Sequence, residues 1–505
     1  MEPTKMALLL VLSSKLLLAV AATASSHDSL WSTSNMGEGV VIGVLDDGID
    51  AGHPSFGDEG MPAPPARWRG RCKHAGVAAC NNKLIGARDF TRHLRHPGTA
   101  PRAGTHGTHA SSIAAGASVR RAPGGGAPGP LVGVSGVAPR AHLAFYQVCA
   151  ARGCSRASIV HAVEAALADR VGVLSLSLGD DDGLGFDEDP AVAATFSAVM
   201  RGVIVCAAAG NKGPTAGSVA NDAPWILTVG ASSQLGSPQS ATIPAFSSRG
   251  PSRHNGGVLK PDIVGPGVDV LAAVPRSARR PSFASLSGTS MSAPHLSGVA
   301  ALLKSAHPAW SPAAIKSAIM TTADASLTDE TGTPASYFAM GAGLVNAAKA
   351  VNPGLVYDIS PEEYIPYLCG LGYPDEQVNR IIYPAPAVHC AEMESTEAKD
   401  LNTPSIMVTL TEDRPAVTVS RTVTNVGVAR SVYRVEVDAP EGVSVTVFPG
   451  ELKFDEVNQK ASFAVTVERA PSTSSALVSD VLDAQIAWVS GEHVVRSPIS
   501  ISAKF

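Results

Sequence analysis

Val41-Ile42-Gly43-Val44-Leu45-Asp46-Asp47-Gly48-Ile49-Asp50 decides how the rest of the chain is read. An apolar run broken only by Gly43 leads straight into a carboxylate, the pattern of a strand buried on both faces that ends at a sheet's carboxyl edge. In an open α/β sheet that edge is where ligands and working side chains gather, so Asp46 becomes a candidate. Against it stands the commoner use of Asp in turns and helix caps. The pleat sends neighbouring side chains to opposite faces, so little coupling is expected between Asp46 and Asp47. Asp50 reads as a turn or surface residue.

Working outward, "HLAFYQV" (142–148), "VGVLSLSL" (171–178), "GVIVCAAA" (202–209) and "ILTVGA" (226–231) repeat the apolar run. "SRASIVHAVEAALADR" and "DEDPAVAATFSAVMR" lie between them with apolar residues at helical spacing. This strand and helix rhythm predicts a parallel sheet covered on both sides. After about residue 400 the period changes to two. "AVTVSRTV", "SVYRVEV", "VSVTVF", "SFAVTVE" and "DAQIAWVS" alternate apolar and polar residues, which predicts an all-β sandwich.

The 505 residues carry 48 Gly and 37 Pro, 16% charged residues and a formal net charge of −5, an ordinary globular balance rich in tight turns. Without a basic excess, neither nucleic acid nor an anionic membrane is an expected partner. Residues 1–26 read as a signal peptide: Lys5, an apolar stretch from Leu8 to Val20, then the small-x-small Ala22-Thr23-Ala24. Secretion follows as an expectation, to the apoplast or cell wall if the source is a plant. In an oxidising compartment the seven cysteines would pair by proximity as Cys72 with Cys80, Cys149 with Cys154 and Cys369 with Cys390, leaving Cys206 as a buried thiol. Other connectivities stay open from the sequence.

Three further features carry polar groups at element edges. "GTHGTHASSIAAG" places His106 and His109 three apart at the start of a small-residue helix. A zinc site would want a Glu beside them, and Gly107-Thr108 stands there instead. "CAAAGNKGP" ends an apolar strand at Asn211, either a turn residue or an amide that could donate to a developing oxyanion. "SLSGTSMSAPHLSG" opens a helix at Ser290, either a cap residue or a nucleophile. The Gly-x-Ser-x-Gly elbow is not met, because Ser292 occupies the second glycine's place, which disfavours a lipase-like hydrolase. What joins them is order: Asp46, His106, Ser290, with Asn211 between.

That order, with "HGTH", "GVAPRAHLAFYQVC", "VLSLSLG", "AAAGNKGP", "FSSRGPS", "KPDIVGPGVDVLAA", "GTSMSAPHLSG" and "NPGLVYD", resembles the subtilase family of serine peptidases, in particular its plant secreted branch. The resemblance implies a subtilisin-like doubly wound, mostly parallel sheet flanked by helices. "LNTPSI" and "RTVTNVG" add a C-terminal fibronectin type III-like β-sandwich. It implies Ser290 as nucleophile, His106 as general base then acid, and Asp46 as the carboxylate that orients the imidazole. Asn211 would complete an oxyanion hole, and Ser177, Leu178 and Gly179 would pair with an extended peptide substrate. No cofactor or metal is expected. Acids 180–182 and 187–189 read as solvated loops rather than calcium ligands.

The expected layout is a signal peptide at 1–26, a catalytic domain at 27–355, a connecting segment at 356–400 and the sandwich at 401–505. Four departures from the family pattern stand out. Asp47 replaces the usual Thr or Ser, and Thr105 replaces Gly before His106. No protease-associated insert separates "TVGAS" from "FSSRGPS", so a monomer is expected. No room for a propeptide follows the signal peptide, so a propeptide or inhibitor in trans becomes a possible partner. The alternative is an inactive or misfolded relative that acts only as a binding module.

Overall fold

The computed structural model describes residues 30–74, 77–94, 103–121, 132–150, 152–179, 184–233, 241–277, 280–469 and 481–504. The signal-peptide segment and Asp180 to Asp182 lie outside these residues. The central sheet contains β1 (Val41–Asp46), β2 (Cys72–Lys73), β3 (Leu84–Asp89), β4 (His142–Gln147), β5 (Val173–Leu176), β6 (Ile204–Ala208), β7 (Leu227–Ser232) and β8 (Ile263–Pro266). Their spatial order is β8-β7-β6-β5-β1-β4-β3-β2, and every neighbouring pair is parallel. The winding reverses at β1, which places its carboxyl end at the crevice where such sheets bind ligands.

The apolar run of β1 is unbroken because both of its faces are covered. Ile42 and Val44 pack into the core shared with α4 (Thr289–Ala306) and α5 (Pro312–Thr321). Val41 and Leu45 face the core built by α2 (Arg156–Asp169) and α3 (Pro190–Met200). On the first face lies α1 (Thr105–Ala115), whose Ala114 and Ala115 join the same core as the Ala-rich α4. Small residues on both helices permit close approach. A hairpin of β9 (Val270–Ser277) and β10 (Arg280–Leu286), which the sequence reading left without strands, packs over α1.

The C-terminal region forms a β-sandwich of a four-stranded and a five-stranded sheet, with Trp488 edge-on to Phe463 at 5.0 Å in its core. The alternating segments are its strands, joined by Ile406–Thr411, Glu451–Phe454 and His493–Lys504. Leu355–Val356 also pairs with Ala416–Asn425. The segment that follows does more than connect. Tyr364, Leu368, Val378 and Ile382 bury themselves in the α2 and α3 core, and the Cys369–Cys390 bridge closes that excursion. Cys72–Cys80 and Cys149–Cys154 also form, and Cys206 is buried and free. Among the described residues no helix is long and apolar enough to cross a membrane.

Candidate active site

Asp46, the last residue of β1, is 1% exposed. Its two carboxylate oxygens lie 2.8 and 2.9 Å from Nδ1 of His106, the second residue of α1. A carboxylate only accepts, so Nδ1 carries the proton and Nε2 is left as the basic nitrogen. Burial works to lower the His106 pKa, but the hydrogen bond and charge of Asp46, joined by the charge of Asp47, outweigh it and hold the imidazole above its ordinary value. With 35% of its side chain exposed, His106 remains open to the cleft.

Ser290 is the second residue of α4, where backbone N–H groups have no partner within the helix. Its Oγ donates to Ser177 O at 3.3 Å, and Ser177 Oγ donates to Ser290 O at 3.0 Å. The nucleophile candidate is thus parked on the end of β5, and the structure holds no hydrogen bond between Ser290 and His106. Such bonds often tighten only once substrate is present.

Asn211 follows β6, and its Oδ1 accepts from Thr289 N and Thr289 Oγ1, both at 3.0 Å. A backbone N–H can only donate, so the amide oxygen faces Thr289 and Nδ2 is turned outward. A Cβ placed on Gly288 would stand 3.6 Å from Asn211 Nδ2 and 3.7 Å from Ser290 N. Two nitrogens able to donate therefore border one small volume beside Gly288.

A cleft of about 620 Å³ runs past Asp46 and His106 and is lined also by Asp47, Ser177, Leu178 and Gly179. The Cys149–Cys154 bridge and Phe186 extend its wall. Asn221 braces it: Nδ2 donates to Leu178 O and to Ala208 O, both at 2.8 Å, tying the ends of β5 and β6 together. Sequence reasoning passed over Asn221 and Gln147, whose Nε2 holds Asp47 O at 2.6 Å. Neither carries a local signal. Thr289 was visible only as the neighbour of Ser290.

The structure corrects one expectation. Asp47 does not turn away from Asp46: β1 ends at Asp46, so pleat alternation stops there. Asp47 N donates to Asp46 Oδ1 at 2.7 Å, and Asp47 Oδ1 accepts from Gly107 N at 2.8 Å. Burial, then the charge of Asp46, push Asp47 up to about 6 against the opposing pull of Gly107 N–H and His106. Asp50 is a turn residue as expected, its Oδ1 accepting from Gly52 N at 3.2 Å, and it also forms a two-pronged pair with Arg276 on β9 at 2.9 and 3.0 Å. As for zinc, His109 Nε2 lies 3.0 Å from Val270 O and from Ala284 O, committed to the hairpin. Among the described residues no cluster of three or more metal-ligating side chains forms. Asp189 caps α3 and pairs with Arg156.

Comparison with known proteins places this architecture. The subtilase family model matches residues 37–343 and a fibronectin type-III domain model matches residues 400–501. The chain belongs to the subtilase family and is a subtilisin-like serine endopeptidase. Among its relatives in Arabidopsis thaliana, the subtilisin-like protease SBT1.2 is 33% identical, over 95% of this chain and 84% of the relative. SBT1.6 is 32% identical over 94% and 85%, and SBT4.10 is 35% identical over 91% and 78%.

Proposed function

We propose that this chain is a secreted endopeptidase that cleaves polypeptides through Ser290, His106 and Asp46. The observation that carries the reading is the Asp46–His106 pair, held at 2.8 Å at the switch point of the sheet with Ser290 anchored on the adjoining strand end. The substrate's backbone lies along Ser177, Leu178 and Gly179 as an added strand. Ser290 Oγ leaves Ser177 O, gives its proton to His106 Nε2 and attacks the scissile carbonyl. Asn211 Nδ2 and Ser290 N–H receive the oxyanion, and His106 returns the proton to the leaving amine. Losing one such donor costs on the order of 10² to 10³ in turnover, a magnitude known for subtilisin-type oxyanion holes and not specific to this site. The signal peptide at 1–26 directs secretion, the catalytic domain runs to about 355, and the sandwich from 401 is appended to it.

The test is labelling of the secreted chain by a fluorophosphonate, with and without a related propeptide supplied in trans. Labelling that Ser290→Ala abolishes supports the reading. No label under either condition favours the alternative, a silent relative that only binds.

A further inference from the structure

Helix α1 begins with no cap of its own. Gly104 stands at the N-cap position, has no side chain, and leaves the first-turn N–H groups to find partners elsewhere. One partner comes from another element: Asp47 Oδ1 accepts from Gly107 N, the third residue of the helix, at 2.8 Å. The glycine makes room for it, since a Cβ on Gly104 would stand 2.0 Å from that oxygen. A carboxylate here also lies on the favourable end of the helix dipole. Asp47 is itself held from behind, its carbonyl bonded by Gln147 Nε2 at 2.6 Å.

These contacts close a ring. Asp46 binds His106, His106 is bonded to Gly107, Gly107 N–H binds Asp47, and Asp47 N–H returns to Asp46. We infer that Asp47 is a positioning residue of this peptidase: its carboxylate caps the helix that carries His106 and adds a second negative charge beside the imidazole. The inference rests on the catalytic reading above and concerns a position where the family pattern has an uncharged hydroxyl residue.

Among the described residues, the charged groups nearest His106 have partners of their own. His109 on its own helix is bound to the hairpin, and the hairpin's Arg276 is paired with Asp50. On the β4 side His74 bonds Gln147, and farther along the cleft Arg156 pairs with Asp189. The first turn of α4 presents only the uncharged Thr289, Ser290, Met291 and Ser292. Among the described residues, Asp46 and Asp47 thus supply the negative charge at the imidazole, in keeping with its raised pKa.

The experiment compares the full chain with Asp47→Asn, which keeps an acceptor for Gly107 N–H but loses the charge, and Asp47→Ala, which loses both. Concentrations are normalised by fluorophosphonate titration of Ser290. The acid limb of kcat/KM should move to lower pH in both variants, by about half a unit or more, because the base loses a stabilising negative neighbour. At the plateau, kcat should fall on the order of 10-fold in Asp47→Ala with KM nearly unchanged, and Asp47→Asn should recover most of that loss. An unmoved limb in Asp47→Asn overturns the inference, as does an Asp47→Ala plateau equal to the parent's. NMR titration of the His106 ring reports the same shift without turnover. A parent that takes no label, but whose His106 titrates lower after Asp47→Asn, refutes the catalytic reading and leaves the positioning role standing.

Discussion

Two charge clusters stand at opposite edges of the central sheet, each with one charge more than it can pair. At the carboxyl edge of β1, Asp46 and Asp47 stand beside the single imidazole of His106, which hydrogen-bonds Asp46 and feels only the charge of Asp47. At the amino edge of β7 and β8, Asp262 faces two ammonium groups, Lys260 Nζ and Lys316 Nζ, both at 2.7 Å. In each the surplus group is driven towards neutrality. Burial and then Asp46 raise Asp47 to about 6, while burial, only partly offset by Asp262, lowers Lys260 to about 7. What differs is access. The imidazole is 35% exposed at a cleft, whereas Lys260, Lys316 and Asp262 are at most 6% exposed. The sealed cluster fills its remaining hydrogen-bond capacity with Ile226 O, Thr228 Oγ1 and Pro224 O, and so cross-links strand, loop and helix. The open one keeps Nε2 free to exchange a proton.

The largest effect expected is at the open edge. Asp46→Asn keeps the shape but fails to hold His106 in the required tautomer, and kcat should drop about 10⁴-fold while the thermal midpoint barely moves. Next in size is the sealed edge. Asp262→Asn strands two buried ammonium groups and should cost about 3–5 kcal/mol in urea unfolding, with turnover per labelled Ser290 unchanged in the molecules that fold. If the outcomes were exchanged, the assignment of working and structural clusters would be reversed.

A subtler contrast lies in the pH dependence of stability. Between the ordinary 3.8 and about 6, the folded chain keeps a proton on Asp47 that the unfolded chain has released, so this group makes stability fall as pH rises through that window. Between about 7 and the ordinary 10.5, the folded chain has released a proton from Lys260 that the unfolded chain still holds, so this group makes stability rise with pH. Unfolding midpoints across pH should show the first slope flattened by Asp47→Asn and the second by Lys260→Met. A slope that survives its own substitution belongs to another group.

The two clusters also differ in how far they could be read from the sequence. The strands were legible as apolar runs because both faces of the sheet are covered. Asp46, His106, Asn211 and Ser290 could be nominated because each stands at an element's end and their order has a known chemistry. Asp262 could not, since its partners Thr228 and Lys316 lie in separate apolar segments and meet it only in the folded chain. Asp47 was misread for a local reason: alternation was carried one residue beyond the strand. The hairpin at 270–286 was missed because "LAAVPRSARRPSFASL" alternates poorly and has a Pro in each arm.

That hairpin supplies the smallest expected effect. Arg276 grips Asp50 with Nε and Nη2, and its backbone N–H adds a third bond at 2.9 Å, so the ion pair joins the loop after β1 to a strand over α1. Burial works to raise the Asp50 pKa, but Arg276 outweighs it and holds the carboxyl below the usual range. The pair's stabilisation is therefore present at neutral pH and lost as pH falls below the ordinary 3.8. Arg276 is 39% exposed, so Arg276→Ala should cost no more than about 1 kcal/mol, and that difference should shrink in about 1 M salt as screening sets in. Turnover should change only a few-fold, because His106 is held from the other side by Asp46. An unchanged thermal midpoint at low salt would mean that the hairpin is held by its other contacts, His53 Nε2 on Ser282 O, His109 Nε2 on Val270 O and Ala284 O, and Ala273 N–H on Ser112 Oγ.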